Sequence, residues 1–200
     1  MKSELNRIQN KFERDANAAA RSAERDFHRR VSASRPSVSY TVSERAYLEP
    51  VREIAAEQAL EHPERRDVFL CHAWDDREGA ALDLHDLLVS YGVSVWFSEK
   101  DVVLGTSLIR SIDKGLKMCR IGVVLMTPNM LESLANEGVA DQELAALLGM
   151  DRVIPVAHGI SFKELKAESP LLGTKAGLTT DGVTLVDVAV KIANAVKPER

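Results

Sequence analysis

The first strongly apolar run of the chain is followed by a turn whose side chains could do chemistry. Asp75 and Asp76 supply paired carboxylates there, and Trp74 supplies a flat indole face. Paired acids after a first strand are typical of phosphoacceptor receiver domains, which also need an aspartate after the third strand and a lysine after the fifth. Here the third position carries Met126-Thr127-Pro128, and no suitable lysine follows the fifth. The pair therefore does not predict a phosphoacceptor site.

Other common chemistries are also disfavoured by residue spacing. The five histidines lack the spacing of metal ligands, so no metal site is predicted. Cys71 and Cys119 lie in or beside apolar runs without a CxxC motif, which predicts buried, reduced thiols in a cytoplasmic protein. The chain has neither a GxGxxG fingerprint nor a Walker loop.

The stretch from Asp67 to Phe97 predicts the unit that positions this turn. Val68, Phe69 and Leu70 follow one another without polar alternation, so both faces of that strand should be covered, as in a parallel sheet flanked by helices. An amphipathic helix follows and ends at Gly92, and a second apolar strand comes next. The turn thus opens at the carboxyl end of a strand, where such sheets bind ligands.

Further strands and helices alternate along the rest of the chain. Strands are predicted at Ile121–Met126 and Val153–Val156, with a weak fifth at Ala176–Thr179 or Val183–Leu185, and Asn129 is predicted to cap a helix. Five strands alternating with helices predict an α/β fold. Its best arrangement is a flavodoxin-like, five-stranded parallel sheet of order 2-1-3-4-5 flanked by helices.

The N-terminal third has a different pattern. A thin apolar stripe over Ser3–Val31 predicts a helix that needs a partner surface, either as a coiled coil or folded back on its own domain. After a serine-rich linker, Ser43 is predicted to cap a second helix, with Pro50 tolerated only within its first turns. We therefore divide the chain into an N-terminal helical extension with linker, 1–64, and a globular domain, 65–200.

Composition and charge indicate which partners and which cellular compartment to expect. The chain has 200 residues, 45% of them hydrophobic, which suffices for one proper core. A net charge of −4 gives no global basic field for nucleic acid. No apolar run is long enough for a membrane span, and no signal peptide is visible. We expect a cytoplasmic protein without nucleic-acid or membrane partners.

A series of segments resembles the Toll/interleukin-1 receptor (TIR) domain family. It begins with DVFLCHAWDD, continues through LLVSYGVSVWFSEKDVVLG and IGVVLMTPNML, and ends in DQELAAL. The resemblance extends from about Arg66 to Val196 and agrees with the flavodoxin-like fold. It implies cleavage of NAD⁺ at the nicotinamide–ribose bond, giving nicotinamide and ADP-ribose or a cyclic isomer. NAD⁺ is then the substrate, and no separate cofactor is expected.

The resemblance also assigns site residues. Glu143 matches the catalytic glutamate of the family, whereas without the resemblance it would be an ordinary solvated helix residue. The predicted NAD⁺-contacting residues are Ala73, Trp74, Phe97, Ser98 and Glu99. Trp74 would stack on nicotinamide or adenine, with a lid over the core as the alternative. The sequence departs from the family at Val139, where a tryptophan is common, and at Ser98, where an acid is common.

One carboxylate is chemically sufficient for this cleavage. Nicotinamide is cationic in NAD⁺ and leaves neutral, so no acid is needed, unlike in ordinary glycoside cleavage. By the resemblance, the loop Glu99–Thr106 governs assembly. We expect self-association through this loop and through the N-terminal helix, whose apolar stripe needs a partner. The expected setting is bacterial immune (anti-phage) signalling. Two alternatives remain open: a non-enzymatic scaffold that acts through TIR–TIR assembly, and a receptor for a nucleotide made elsewhere.

Overall fold

A five-stranded parallel sheet forms the centre of the molecule. The computed structural model describes residues 35–97, 114–137, 148–168 and 177–197. Within these ranges the strands are β1 (Arg66–Cys71), β2 (Val95–Phe97), β3 (Cys119–Met126), β4 (Val153–Ala157) and β5 (Leu178–Thr179). They lie in the order β2-β1-β3-β4-β5, and every neighbouring pair is parallel. The predicted α/β class and flavodoxin-like order are confirmed.

Helices flank the sheet. The described helices are α1 (Val42–Glu61), α2 (Ala80–Ser90), α3 (Pro128–Glu137), α4 (Phe162–Glu168) and α5 (Leu185–Val196), and residues 114–118 are also helical. Both α1 and α2 pack against α5, while α1 also contacts β3 and α2 contacts β2. A separate apolar cluster joins residues of β1, β3 and β4 to Met130 and Leu134 of α3 and Leu165 of α4.

The unbroken apolar runs explain the strands. Residues 67–71 of β1 and 121–126 of β3 are all buried, as the missing polar alternation predicts for strands covered on both faces. The fifth strand lies in the first of the two predicted stretches, Ala176–Thr179. The second stretch, Val183–Leu185, contains Thr184, which instead caps α5 in a capping box with Asp187.

Helix α1 begins earlier than predicted. Thr41, not Ser43, is its N-cap: the Thr41 hydroxyl accepts from the Glu44 amide at 3.1 Å, and the Glu44 carboxylate accepts from the Thr41 amide at 2.8 Å. Pro50 also lies inside the helix rather than in its first turns. Proline cannot donate to the carbonyl of Ala46, but both residues are exposed, so water can replace that bond.

Long-range contacts attach α1 to the sheet domain. Lys191 of α5 donates to the Glu44 carboxylate at 2.7 Å, and the Tyr47 hydroxyl donates to the carbonyl of Val153 at 2.6 Å. The described residues from Pro36 onward belong to one compact unit. The predicted boundary between 64 and 65 stays a prediction. The helix predicted over Ser3–Val31 lies outside the described residues.

Both cysteines are buried, as predicted. Burial raises the pKa of Cys119 to about 11, so this side chain is a thiol at neutral pH. In the part of the chain that the structure describes, none of the helices combines the length and apolar character that crossing a bilayer requires.

Candidate active site

The carboxyl ends of the parallel strands meet at one edge of the sheet, which we call the carboxyl edge. Ala73 and Trp74 follow β1, Phe97 ends β2, and Thr127 follows β3. Since all strands run the same way, residues far apart in sequence gather here. Ala73, Trp74 and Phe97 therefore lie at this edge, and their contact with NAD⁺ stays a prediction.

Trp74 is an exposed aromatic residue in this edge. It begins a short 3-10 turn, Trp74–Asp76, and 49% of its surface is accessible. The Arg77 guanidinium lies 4.0 Å from the ring centroid and donates to the Trp74 carbonyl at 3.3 Å. An indole with this exposure is not a core lid, so the alternative considered for Trp74 is wrong. The contact with Arg77 is itself a cation–π interaction.

His72 connects the ends of β1 and β2. Its ring stacks on Phe97 with centroids 4.7 Å apart and planes inclined by 23°. Nδ1 lies 2.8 Å from the Ala73 carbonyl, which can only accept, so Nδ1 carries the proton. Nε2 is buried and has no hydrogen-bond partner among the described residues. Burial lowers the pKa of His72, and the ring is therefore neutral at neutral pH.

Asp76 is structural rather than available for chemistry. It is 7% exposed, and its carboxylate accepts from the Thr127 hydroxyl at 2.5 Å and from the Asn129 side-chain amide at 2.7 Å. Thr127 in turn accepts from the Met130 amide at 3.0 Å and so caps α3. The prediction that Asn129 caps this helix is wrong, because its side chain donates to Asp76 instead. This network ties the turn after β1 to the start of α3.

The structure brings together some predicted site residues and leaves others untested. Ala73 and Phe97 are linked through His72, which hydrogen-bonds to one and stacks on the other. Ser98, Glu99 and Glu143 lie outside the described residues, as does the rest of the loop Glu99–Thr106. Sequence reasoning missed the linking role of His72, for which the only signal was its place directly after an apolar strand.

No group of three or more histidine, cysteine, aspartate or glutamate side chains is placed to hold a metal ion within the described ranges. Of the described groups at the carboxyl edge, Asp76 and Thr127 bind each other, whereas Asp75 is exposed and His72 Nε2 has no hydrogen-bond partner. The exposed indole of Trp74 lies beside them, with the Arg77 guanidinium over its ring.

The sequence model of the TIR domain family matches residues 68–186, which is more than half of the chain and includes β1 to β5 except for the first residues of β1. The chain belongs to the TIR domain family. The strand order and the turn after β1 described above are therefore those of a TIR domain.

Several characterised proteins resemble this TIR domain. "NAD(+) hydrolase TcpA" of Theionarchaea archaeon is 33% identical over 58% of this chain and 35% of its own length. "2' cyclic ADP-D-ribose synthase BtTIR" of Bacteroides thetaiotaomicron is 29% identical over 70% of this chain and 50% of its own. A solved structure of a metazoan TIR-STING receptor from C. gigas covers 68% of this chain and 40% of that one, with 20% identity and a TM-score of 0.46. The chain thus spans about a third to a half of these proteins.

Proposed function

We propose that this TIR domain cleaves NAD⁺ at the bond between nicotinamide and ribose. The observation that carries the proposal is family membership, together with relatives named NAD(+) hydrolase and 2' cyclic ADP-D-ribose synthase. The exposed Trp74 at the carboxyl edge supports it, because a flat cationic ring such as nicotinamide stacks well on an indole. NAD⁺ is the substrate in this proposal, and no further cofactor takes part.

The reaction requires stabilisation of positive charge rather than an acid. When the bond between C1′ and the nicotinamide nitrogen breaks, its electron pair stays on that nitrogen, and the ring leaves neutral. The ribose becomes an oxocarbenium ion, which a nearby carboxylate stabilises electrostatically once water is excluded. Water or a substrate hydroxyl then attacks C1′ and gives up one proton.

We assign the roles in this reaction as follows. Glu143 supplies the carboxylate, Trp74 stacks on a ring of NAD⁺, and Ala73 and Phe97 also contact NAD⁺. Ser98 and Glu99 contact the ribose or adenine part. The neutral His72 holds Phe97 in place by stacking, and it adds no second positive charge beside the cationic substrate.

The identity of the product depends on which nucleophile reaches C1′. Attack by water gives ADP-ribose, whereas attack by a hydroxyl of the same molecule gives a cyclic ADP-ribose isomer. Relatives with both kinds of name support either outcome. Chromatography of the products with authentic ADP-ribose and cyclic isomers as references separates the two.

Self-association is a further part of the proposal. The loop Glu99–Thr106 is charged and contains Gly105, and the segment Ser3–Val31 has the pattern of an oligomerising helix. We propose that copies of the domain assemble through both segments and that activity rises with assembly. Bacterial immune signalling against phage is the proposed setting, and phage challenge of cells with and without the gene tests it.

The experiment that tests the function is incubation of the purified protein with NAD⁺ over a series of protein concentrations. We expect nicotinamide to appear, at a rate that rises more steeply than protein concentration if assembly completes the site. Absence of nicotinamide at every concentration contradicts the proposal and favours the scaffold alternative. A thermal shift with cyclic ADP-ribose isomers in the absence of turnover instead favours a nucleotide receptor.

A further inference from the structure

Arginines lie at or next to the first residue of three neighbouring strands. These strand starts form the edge opposite the candidate active site, and we call it the amino edge. Arg66 is the first residue of β1, Arg120 is the second residue of β3, and Arg152 directly precedes β4. Arg65 adds a fourth guanidinium before β1. Because β1, β3 and β4 are adjacent and parallel, these side chains lie along one edge.

Backbone carbonyls hold two of these guanidiniums in place. Arg152 donates to the carbonyls of Arg120, Leu116 and Cys119 at 2.9, 3.0 and 2.9 Å. Arg66 donates to the carbonyl of Val95 at 3.0 Å. A carbonyl fixes the position of a guanidinium but does not cancel its charge, so these contacts build an ordered positive edge.

Acidic residues also lie near this edge, and one of them neutralises an edge arginine. Asp67 is buried and binds Arg120 at 2.7 Å and also Ser94. Glu64 lies 3.5 Å from His62, and Glu61 accepts from Gln58 at 3.3 Å. Asp151, directly before Arg152, is exposed. Within the described ranges, Arg120 is paired with Asp67, whereas Arg65, Arg66 and Arg152 form no ion pair. Arg65 donates to the side-chain oxygen of Gln58 at 3.0 Å.

The charges of these arginines affect the pKa values of two neighbouring residues, Cys119 and Arg152. Burial raises the pKa of the Cys119 thiol, while the charges of Arg66, Arg152 and Arg65 oppose that rise. Burial lowers the pKa of Arg152, and the charge of Arg65 lowers it further. Arg120 also keeps a buried Nε–H without a hydrogen-bond partner among the described residues. Like charges held together in this way are stabilised when an anion binds between them.

We propose that the amino edge is a binding site for a small anion that carries two or more phosphate groups. Adjacent strands are about 5 Å apart, so the unpaired Arg66 of β1 and Arg152 before β4 start about 10 Å apart, too far for one carboxylate to bind both. Guanidinium groups bind phosphate oxygens through paired, charge-assisted hydrogen bonds. The ligand is either an inorganic polyphosphate or the phosphate part of a nucleotide.

This site is separate from the proposed NAD⁺ site. Strand β1 is six residues long, so the amino and carboxyl edges are about 20 Å apart. Binding at the amino edge can thus be tested without any turnover of NAD⁺. A protein that does not cleave NAD⁺ could still bind an anion at the amino edge, and the reverse also holds.

Isothermal titration with inorganic pyrophosphate and, separately, with ADP tests the proposal at low salt. We expect Arg66→Gln and Arg65→Gln each to weaken binding by about tenfold, since each removes one cation from the site. The matched control Arg77→Gln removes a cation at the opposite edge and should leave the affinity unchanged. Added salt should weaken binding to the unmodified protein.

The outcomes are distinct. Equal affinity for both ligands identifies the phosphates as the recognised group. Tighter binding of ADP identifies a nucleotide only if Arg66→Gln and Arg65→Gln weaken it, because the proposed NAD⁺ site can also bind ADP. The proposal is overturned if the unmodified protein binds neither ligand, if both amino-edge variants bind as well as it does, or if Arg77→Gln weakens binding equally. Thermal unfolding of each variant establishes that it is folded. Arg66 is exposed and makes one carbonyl bond, so its variant should fold normally.

Discussion

Two residues of one short turn have opposite environments. Trp74 is half exposed and meets a guanidinium, whereas Asp76 is buried and accepts two side-chain hydrogen bonds. The first is therefore available to a ligand, and the second maintains the local structure. Substitutions at the two positions should separate substrate affinity from stability.

Replacement of Trp74 tests its assignment to substrate binding. We expect Trp74→Ala to raise the KM for NAD⁺ by about fivefold to tenfold, because a stacking contact with a cation contributes about 1 kcal/mol at an exposed site. Stability should fall little, since half of the side chain is already in water. Trp74→Phe keeps an aromatic face and should retain most of the affinity. An unchanged KM in Trp74→Ala would remove this residue from the site.

Replacement of Asp76 should affect stability instead. Asp76→Asn cannot accept from both Thr127 and Asn129 as the carboxylate does, and we expect a loss of about 1–3 kcal/mol in the free energy of unfolding. Urea unfolding measures this loss. The exposed neighbour provides the control, because Asp75→Asn should change stability by less than about 0.5 kcal/mol. Equal effects of the two substitutions would show that the network around Asp76 is unimportant.

Helix α1 is attached to the domain by side chains that lie far apart in sequence. Glu44 closes the capping box of α1 and also pairs with Lys191, which is 3% exposed. Burial alone would raise the pKa of Glu44. The hydrogen bond and charge of Lys191 and the hydrogen bonds from Thr41 outweigh that effect and lower the pKa below its ordinary value of 4.5. The pair should therefore make stability depend on pH.

The sign of this dependence follows from the lowered pKa. The contribution of Glu44 is fully present above the ordinary carboxyl pKa and is lost as pH falls through the lower pKa of the folded state. Glu44→Gln keeps the capping box but removes the charge, and we expect it to cost about 3 kcal/mol at pH 7. That difference from the unmodified protein should shrink below pH of about 4.5.

Unfolding in urea over a range of pH measures the loss of stability in Glu44→Gln at pH 7 and the decrease of that loss in acid. The exposed Glu49 on the same helix is a suitable control, and Glu49→Gln should have a small effect at every pH. A loss in Glu44→Gln that stays constant from pH 7 to acid would show that the charge of Glu44 does not contribute to stability.

Elements with a local sequence signal could be predicted, whereas helix caps that depend on long-range contacts could not. Strand β1 was predictable because Val68, Phe69 and Leu70 form an unbroken apolar run, a local signal. The caps of α1 and α3 were predicted at the wrong residues. Asn129 is a good capping residue in isolation, but Asp76, fifty-three positions away, binds its side chain. Long-range partners of this kind have no local signature.

At the level of the whole molecule, the TIR domain presents two edges of different character. The carboxyl edge carries an aromatic surface and a neutral histidine, and the amino edge carries a row of arginines. The order of the strands followed from the alternation of strands and helices, and the site residues followed from the family resemblance. Spacing alone would not have distinguished Glu143 from other helix glutamates, because a single carboxylate has no motif of its own.

In the proposed reaction, Glu143 stabilises the cationic ribose as nicotinamide leaves. The most direct test of this role compares initial rates of nicotinamide release from NAD⁺ by the unmodified protein, Glu143→Gln and Glu132→Gln at one protein concentration. Glu132 is an exposed glutamate on α3 and serves as the control. We predict a loss of about a hundredfold or more in Glu143→Gln, with unchanged thermal unfolding and an unchanged rate in Glu132→Gln. A Glu143→Gln protein that releases nicotinamide as fast as the unmodified one would contradict the claim.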